Sequence, residues 1–242
     1  MFEKEREQYL TSNGFETTRL KAVLFDMDGV LFDSMPNHAY AWSHAMTQFG
    51  LKMSPEEAYM HEGRTGNGTI NLLTQKYWGR DATEEELDEI YQAKADVFNM
   101  REEAPEMPGA KDMLYAVKEA GCQPVLVTGS GQLSLIDRLN KHFPGIFTKD
   151  KMVTSFDVKY GKPNPEPYLM GLKKAGVEPW EGIVVENAPL GVEAGVAAKI
   201  FTIAVNTGPL PDQVLLDAGA NLLFHSMQEM RDNWEEIHRT FI

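Results

Sequence analysis

Two aspartates, Asp26 and Asp28, stand one residue apart and are followed at once by Gly29. A carboxylate can attack an electrophile or move a proton, and two side by side allow one of each. Far along the chain lie residues that complement this pair: Thr128, Gly129 and Ser130, then Lys162 in a Gly-Lys-Pro loop, then Glu186 and Asn187. Asp26, Glu186 and Asn187 offer hard oxygen ligands of the kind Mg²⁺ takes. Thr128, its neighbouring backbone N–H groups and the Lys162 ammonium offer donors and positive charge to phosphate oxygens. Each part also has an ordinary explanation. An Asp-x-Asp-Gly run can end a strand in a turn, Thr128 can be a turn residue, and Lys162 can be a solvated loop lysine. Their joint placement favours the chemistry.

That placement depends on elements that carry all of them to one edge. Ala22-Val23-Leu24-Phe25 is an apolar run without polar alternation, the pattern of a strand buried on both faces of a parallel sheet. Asp26 and Asp28 follow it directly. The runs Pro124 to Val127 and Gly182 to Val185 end in the same way, at Thr128-Gly129-Ser130-Gly131 and at Glu186-Asn187. Further strands are expected near Met152, from Phe201 to Val205 and from Asn221 to Phe224. Helical patterns separate them, including Ala110 to Ala120 and a helix ending near Gly176. Strands alternating with helices predict an α/β fold with a mainly parallel, Rossmann-like sheet and right-handed crossovers. In such sheets ligands bind beyond the carboxyl ends of the strands, where the clusters fall.

Residues 36–104 interrupt this alternation with helix signals alone. Ala39, Trp42, Ala45, Met46 and Phe49 recur at helical spacing and Gly50 ends the segment. Ser54 with Glu57, and Thr83 with Glu86, have capping-box spacing, and Pro55 suits a first helical position. Between them lies a glycine-rich loop, His61-Glu62-Gly63-Arg64-Thr65-Gly66. The expected organisation is a core of residues 20–35 and 105–242, a helical insert of 36–104, and an N-terminal tail or short accessory helix at 1–19.

The chain has 242 residues and a net charge of −13, which argues against a general nucleic-acid or anionic-membrane surface. It does not exclude a small phosphorylated substrate, because a few cations and a metal can dominate one pocket. The single cysteine, Cys122, cannot form an internal disulfide; it fits a reducing cytoplasm and reads as buried filler. No stretch is long and apolar enough for a membrane span, so a cytoplasmic location is expected.

Four segments, DMDGVLFDS, VTGSG, YGKPNPEPY and VVENAPLGVEAG, resemble the four ordered motifs of the haloacid dehalogenase superfamily over about residues 20–225. The helical insert resembles the cap of its β-phosphoglucomutase-like branch. The resemblance implies that Asp26 is a nucleophile forming an aspartyl-phosphate and that Asp28 is the general acid/base. It also implies that Thr128, Gly129, Ser130 and Lys162 hold the phosphoryl group, and that Asp26, Asp28, Glu186 and Asn187 form the Mg²⁺ site. Asn187 departs from the pattern, since many members have aspartate there, and one negative charge is lost. Asp28 argues against dehalogenation, because dehalogenase members lack this second aspartate.

In the cap, Arg64 matches an arginine that clamps a second phosphate. Lys94 matches a cap-helix lysine loosely, or is an exposed helix lysine. His38 matches a histidine that relays with that lysine in mutases, or is an ordinary residue of the first cap helix. Glu62 does not suit a sugar-phosphate mutase: it either ligates Mg²⁺ from the cap side, pairs with Arg64 or faces water. The segment around Glu62, with ENAPLGVEAG, resembles a bacterial inorganic pyrophosphatase of this superfamily more closely than the sugar mutases. The expectation is therefore Mg²⁺-dependent pyrophosphate hydrolysis, with β-phosphoglucomutase or a hexose-phosphate phosphatase as the alternative.

Overall fold

The computed structural model describes residues 2–130 and 135–242. Gly131, the last residue of the second motif, lies outside them. Six strands, β1 (Ala22–Phe25), β2 (Gln123–Val127), β3 (Met152–Val153), β4 (Gly182–Glu186), β5 (Phe201–Val205) and β6 (Leu222–Phe224), form one sheet in the order β3-β2-β1-β4-β5-β6. All five pairings are parallel. This is the doubly wound order, whose ligand crevice opens where the strand sequence reverses, at the carboxyl end of β1. The expected strands are all present, and β4 extends one residue further than its apolar run, through Glu186.

The strand side chains divide between two cores. Val23 and Phe25 face a layer holding Leu126, Ile183, Phe201 and Trp234, and Ala22 and Leu24 face another holding Val125, Val184, Tyr168 and Ala194. All four residues of β1 are 0 % exposed, which is why that strand lacks alternation. Each large side chain buried this way contributes about 1.5–3 kcal/mol. The register sets Phe25 beside Leu126 on β2 and Val185 on β4. The residues one step further on, Asp26 and Glu186, are therefore level with each other, and Thr128 lies just beyond.

The N-terminal stretch is a helix rather than a tail: α1 (Glu3–Asn13) packs on the core. Its pattern is almost wholly polar, but Phe2 and Tyr9 are buried, and the Tyr9 hydroxyl donates to Lys199 O at 2.9 Å. Leu10 and Phe15 pack beside them, and the four lie too irregularly in sequence to show as periodicity.

Between β1 and β2 come α2 (Met35–Thr47), α3 (Pro55–Met60), α4 (Gly66–Trp78), α5 (Glu84–Asn99) and α6 (Ala110–Glu119). Both expected capping boxes form, at Ser54/Glu57 and Thr83/Glu86. Helices α2 to α5 enclose a core of their own, built on Ala39, Met46, Leu51, Ile70, Leu73 and Ile90. The chain leaves and re-enters the sheet domain at one place. Asp33 N donates to Pro105 O at 3.0 Å, Met107 N donates to Leu31 O at 2.9 Å, and Phe32 bridges Glu106 in antiparallel fashion. The remaining helices are α7 (Leu135–His142), α8 (Glu166–Ala175), α9 (Pro189–Ala197), α10 (Asp212–Asp217), α11 (Met227–Asp232) and α12 (Trp234–Phe241). No helix is long and apolar enough to cross a membrane among the described residues.

Candidate active site

Asp26 continues β1 by donating its N–H to Val185 O at 3.0 Å, and its side chain is buried. The chain then turns through Gly29, whose N–H donates to Phe32 O at 2.7 Å and whose carbonyl accepts from Thr207 Oγ1 at 2.6 Å. Gly29 has φ +84°, and a Cβ there would lie 2.1 Å from Asn187 Nδ2. Glycine is needed twice over, for the left-handed backbone and for Asn187 to come close. A Gly29→Ala protein is expected to lose at least about 1–2 kcal/mol of stability from the backbone conformation alone. Urea unfolding monitored by circular dichroism measures this, and an unchanged midpoint would refute it.

Lys162 joins the two acidic ends of the site. Its ammonium donates to Asp26 Oδ1 and Glu186 Oε1, both at 2.5 Å, and to Val127 O at 3.2 Å. Glu186 Oε1 also accepts from the Tyr168 hydroxyl at 2.6 Å, and Oε2 accepts from the N–H of Asn187 at 3.1 Å. A Cβ at residue 191 would lie 1.9 Å from Glu186 Oε1, so Gly191 is what lets the carboxylate sit against α9. Burial raises Asp26 against the pull of Lys162, with Glu186 and Asp28 adding repulsion. Burial works to lower the Lys162 pKa, but Asp26 and Glu186 outweigh it and hold the ammonium charged. Lys162 is thus no solvated loop lysine. Thr128, also buried, accepts from Ser130 N at 3.1 Å, and Thr128, Gly129 and Ser130 line the same cavity as Asp26 and Asp28.

Burial alone would raise Asp28. The adjacent His38 ring and the hydrogen bonds from His38 and Ser34 outweigh it and hold the carboxylate below its ordinary range. Ser34 Oγ donates to Asp28 Oδ1 at 2.5 Å, and His38 Nε2 lies 3.2 Å from the same oxygen. On the other side of the ring, Lys94 Nζ is 2.9 Å from His38 Nδ1. An ammonium donating to Nδ1 assigns the ring proton to Nε2, facing Asp28. Lys94 is 6 % exposed, so it is not a surface lysine. Burial lowers it to about 8, opposed by Asp28. Stacking on Phe98, at 4.3 Å between ring centres, fixes the imidazole.

Glu62 descends from the loop before α4 and meets the core. Its Oε2 accepts from Asn187 Nδ2 at 3.0 Å, so it neither pairs with Arg64 nor faces water. Burial first, then Asp26, Glu186 and Asp28, raise its pKa well above the ordinary value. Two buried oxygens here have no partner among the described residues: Glu62 Oε1 and Asn187 Oδ1. Arg64 lines the cavity with its Nε buried and likewise unpartnered, as is His61 Nδ1. No three His, Cys, Asp or Glu side chains among the described residues form a ready-made ligand group. The Asn187 amide oxygen supplies what the carboxylates lack. With its two unpartnered oxygens beside mutually repelling carboxylates, the site fits a hard divalent cation.

Comparisons with known proteins identify the family. Residues 20–199 match the haloacid dehalogenase-like hydrolase family. The chain belongs to that family. Within it, the chain is 34 % identical over 215 residues to hexitol phosphatase A of Escherichia coli, covering 88 % of this chain and 94 % of that one. It is 31 % identical to a phosphorylated carbohydrates phosphatase of Thermotoga maritima, covering 83 % and 92 %. A solved Bacteroides vulgatus structure, provisionally named a β-phosphoglucomutase, superposes with a TM-score of 0.96 at 60 % identity, over 99 % of this chain and 98 % of that one. The chain is thus a haloacid dehalogenase-like hydrolase akin to phosphatases and phosphomutases. Two contributors to the site were not singled out from the sequence, although each closes a quoted motif: Ser34 ends DMDGVLFDS and Tyr168 ends YGKPNPEPY.

Proposed function

We propose that this haloacid dehalogenase-like hydrolase is a Mg²⁺-dependent phosphohydrolase that acts through an aspartyl-phosphate on Asp26, with inorganic pyrophosphate as its substrate. Asp26 Oδ attacks phosphorus and the bond to the leaving oxygen breaks, with Asp28 protonating that oxygen. Water then attacks the aspartyl-phosphate, Asp28 takes its proton, and phosphate leaves. Lys162 and Thr128 hold the phosphoryl oxygens, and Arg64 faces the distal phosphate. Asp26, the backbone carbonyl of Asp28 and Asn187 would hold the ion with Glu62 from the cap, while Glu186 fixes Lys162 beside them. When bound, Mg²⁺ supplies stabilisation of charge on the phosphoryl oxygens. The reading keeps the reducing, cytoplasmic setting expected from Cys122, which is buried and free.

The observation that carries the choice of substrate is Glu62. Its buried, unpartnered Oε1 beside Asn187 adds a carboxylate where a sugar-phosphate enzyme needs room. The cavity it closes is about 90 Å³, space for on the order of six waters. That suits a compact, highly charged anion better than a hexose ring. The names of the relatives point the other way, to sugar phosphates, and so does the line Lys94–His38–Asp28, which suits proton exchange with a sugar hydroxyl. A hexose- or hexitol-phosphate phosphatase, or a β-phosphoglucomutase, is therefore the second reading.

Initial rates on pyrophosphate, hexose 6-phosphates, a hexitol phosphate and β-glucose 1-phosphate with a bisphosphate primer separate the two. Pyrophosphate is expected to turn over fastest. Glu62→Ala should lower its rate at least ~10-fold, about 1.4 kcal/mol of transition-state stabilisation, while sugar phosphates hold steady or rise. An intact enzyme that ignores pyrophosphate and isomerises or hydrolyses a sugar phosphate would overturn the pyrophosphate reading.

A further inference from the structure

A second opening lies on the far side of Arg64 from the catalytic cavity. It is an open groove of about 470 Å³ lined by Arg64, Thr65 and Gly68 of the cap and by residues 159–164 of the core. Two features set it apart. Among the described residues no carboxylate lines it, in a chain with 36 acidic and 23 basic residues. Its two walls each carry a cation, Arg64 from the cap and Lys159 from the core loop. The Lys162 ammonium is committed elsewhere, to Asp26 and Glu186.

The walls meet through glycines. A Cβ at Gly161 would lie 2.7 Å from Thr65 Cγ2, and one at Gly63 would lie 2.8 Å from Lys162 Cδ. A Cβ at Gly68 would lie 2.9 Å from Arg64 Cγ, so the arginine stem runs across the first turn of α4. Glu166 accepts from the N–H groups of Lys159 and Tyr160 at 3.0 and 2.9 Å, which fixes the core loop. Lys159 Nζ then sits over the exposed Tyr160 ring, 4.9 Å from its centre. The opening therefore exists as a lined site while cap loop and core loop are together, and Arg64 forms its boundary with the catalytic cavity. Buried Arg64 Nε has no partner among the described residues.

We propose that this opening is a second oxyanion site, taking inorganic phosphate between Arg64 and Lys159. The site shares Arg64 with the catalytic cavity, so the test uses a substrate with no second phosphate to engage that arginine. An anion there draws one cation from each wall and so favours the closed cap. Closure with the product side occupied slows turnover in a way that excess substrate does not reverse. Because Lys159 is solvent-exposed, salt weakens this effect.

The test uses the full-length enzyme and inorganic phosphate. Calorimetric titration should show one more phosphate per chain in the parent than in Lys159→Glu. With an aryl phosphate as substrate, phosphate inhibition should contain a competitive component from the catalytic cavity and a second that saturating substrate does not remove. Lys159→Glu should weaken the second at least about tenfold, the usual worth of a charge-assisted contact, and leave the competitive one and the phosphate-free rate unchanged. Chloride at equal ionic strength should not reproduce the second component. Equal phosphate stoichiometry in the parent and Lys159→Glu, purely competitive inhibition, or an unaltered second component in Lys159→Glu would each overturn the proposal. The titration needs no turnover, so its outcome is separate from that of the substrate screen.

Discussion

An Asp26→Asn protein is expected to fold as its parent does and to lose turnover by more than about 10⁴-fold. The amide keeps the volume of a side chain that is 4 % exposed at the end of a wholly buried strand. It still offers an oxygen to the Lys162 ammonium, which stays held by Glu186 and by Val127 O. What disappears is the anionic oxygen that forms the bond to phosphorus, and no neighbour can replace it. Glu186 is engaged by Lys162, Tyr168 and the Asn187 N–H. Asp28 is drawn away by Ser34 and His38. Acid quenching during turnover of the parent should trap a phosphorylated protein, and the Asp26→Asn variant should give none. Substantial activity in a variant verified by mass as free of deamidation would show that another residue attacks.

Asp28→Asn should behave differently. The amide oxygen can still accept from Ser34 and His38, so the loop around Gly29 keeps its shape, but proton transfer is lost. The expected fall in kcat is about 10²- to 10⁴-fold, with little change in KM. If protonation of the leaving group is the step most impaired, a substrate with a good leaving group, such as an aryl phosphate, regains part of the first step. Hydrolysis of the aspartyl-phosphate remains slow, and phosphorylated enzyme accumulates in a burst. A loss confined to KM would mean that Asp28 only binds.

The parts of the fold legible in the sequence are those where local chemistry and tertiary position agree. Ala22 to Phe25 is apolar throughout because both its faces are covered, and Ser54 and Thr83 cap helices with side chains that lie three residues from their partners. The core motifs were legible because each ends a strand and the register of a parallel sheet aligns those ends. Other features depend on contacts between distant residues. Glu62 and Asn187 are 125 positions apart, and only the seating of the cap loop brings them to 3.0 Å. Lys94 has no local sign of burial; its place is set by Trp42, Phe98 and His38 around it. Tyr168 has the spacing of any core residue of α8, and its hydroxyl matters because Glu186 lies 2.6 Å away. Phe2 and Tyr9 anchor α1 within a mostly polar stretch whose pattern left a tail and a short accessory helix equally open.

The paired crossing at Phe32 and Glu106 has a consequence for how substrate range can diversify. The two passages of chain at this crossing lie side by side and are bonded to each other through Asp33 with Pro105 and Met107 with Leu31. The intervening helices therefore form a cassette whose two ends already touch, so a shorter, longer or unrelated cassette leaves no gap for the core to span. Swapping it exchanges Glu62, Arg64, His38 and Lys94 together while Asp26, Asp28, Thr128, Lys162 and Glu186 stay on the sheet. Ancestry and bench recombination can thus alter what is accepted without rebuilding how phosphorus is attacked.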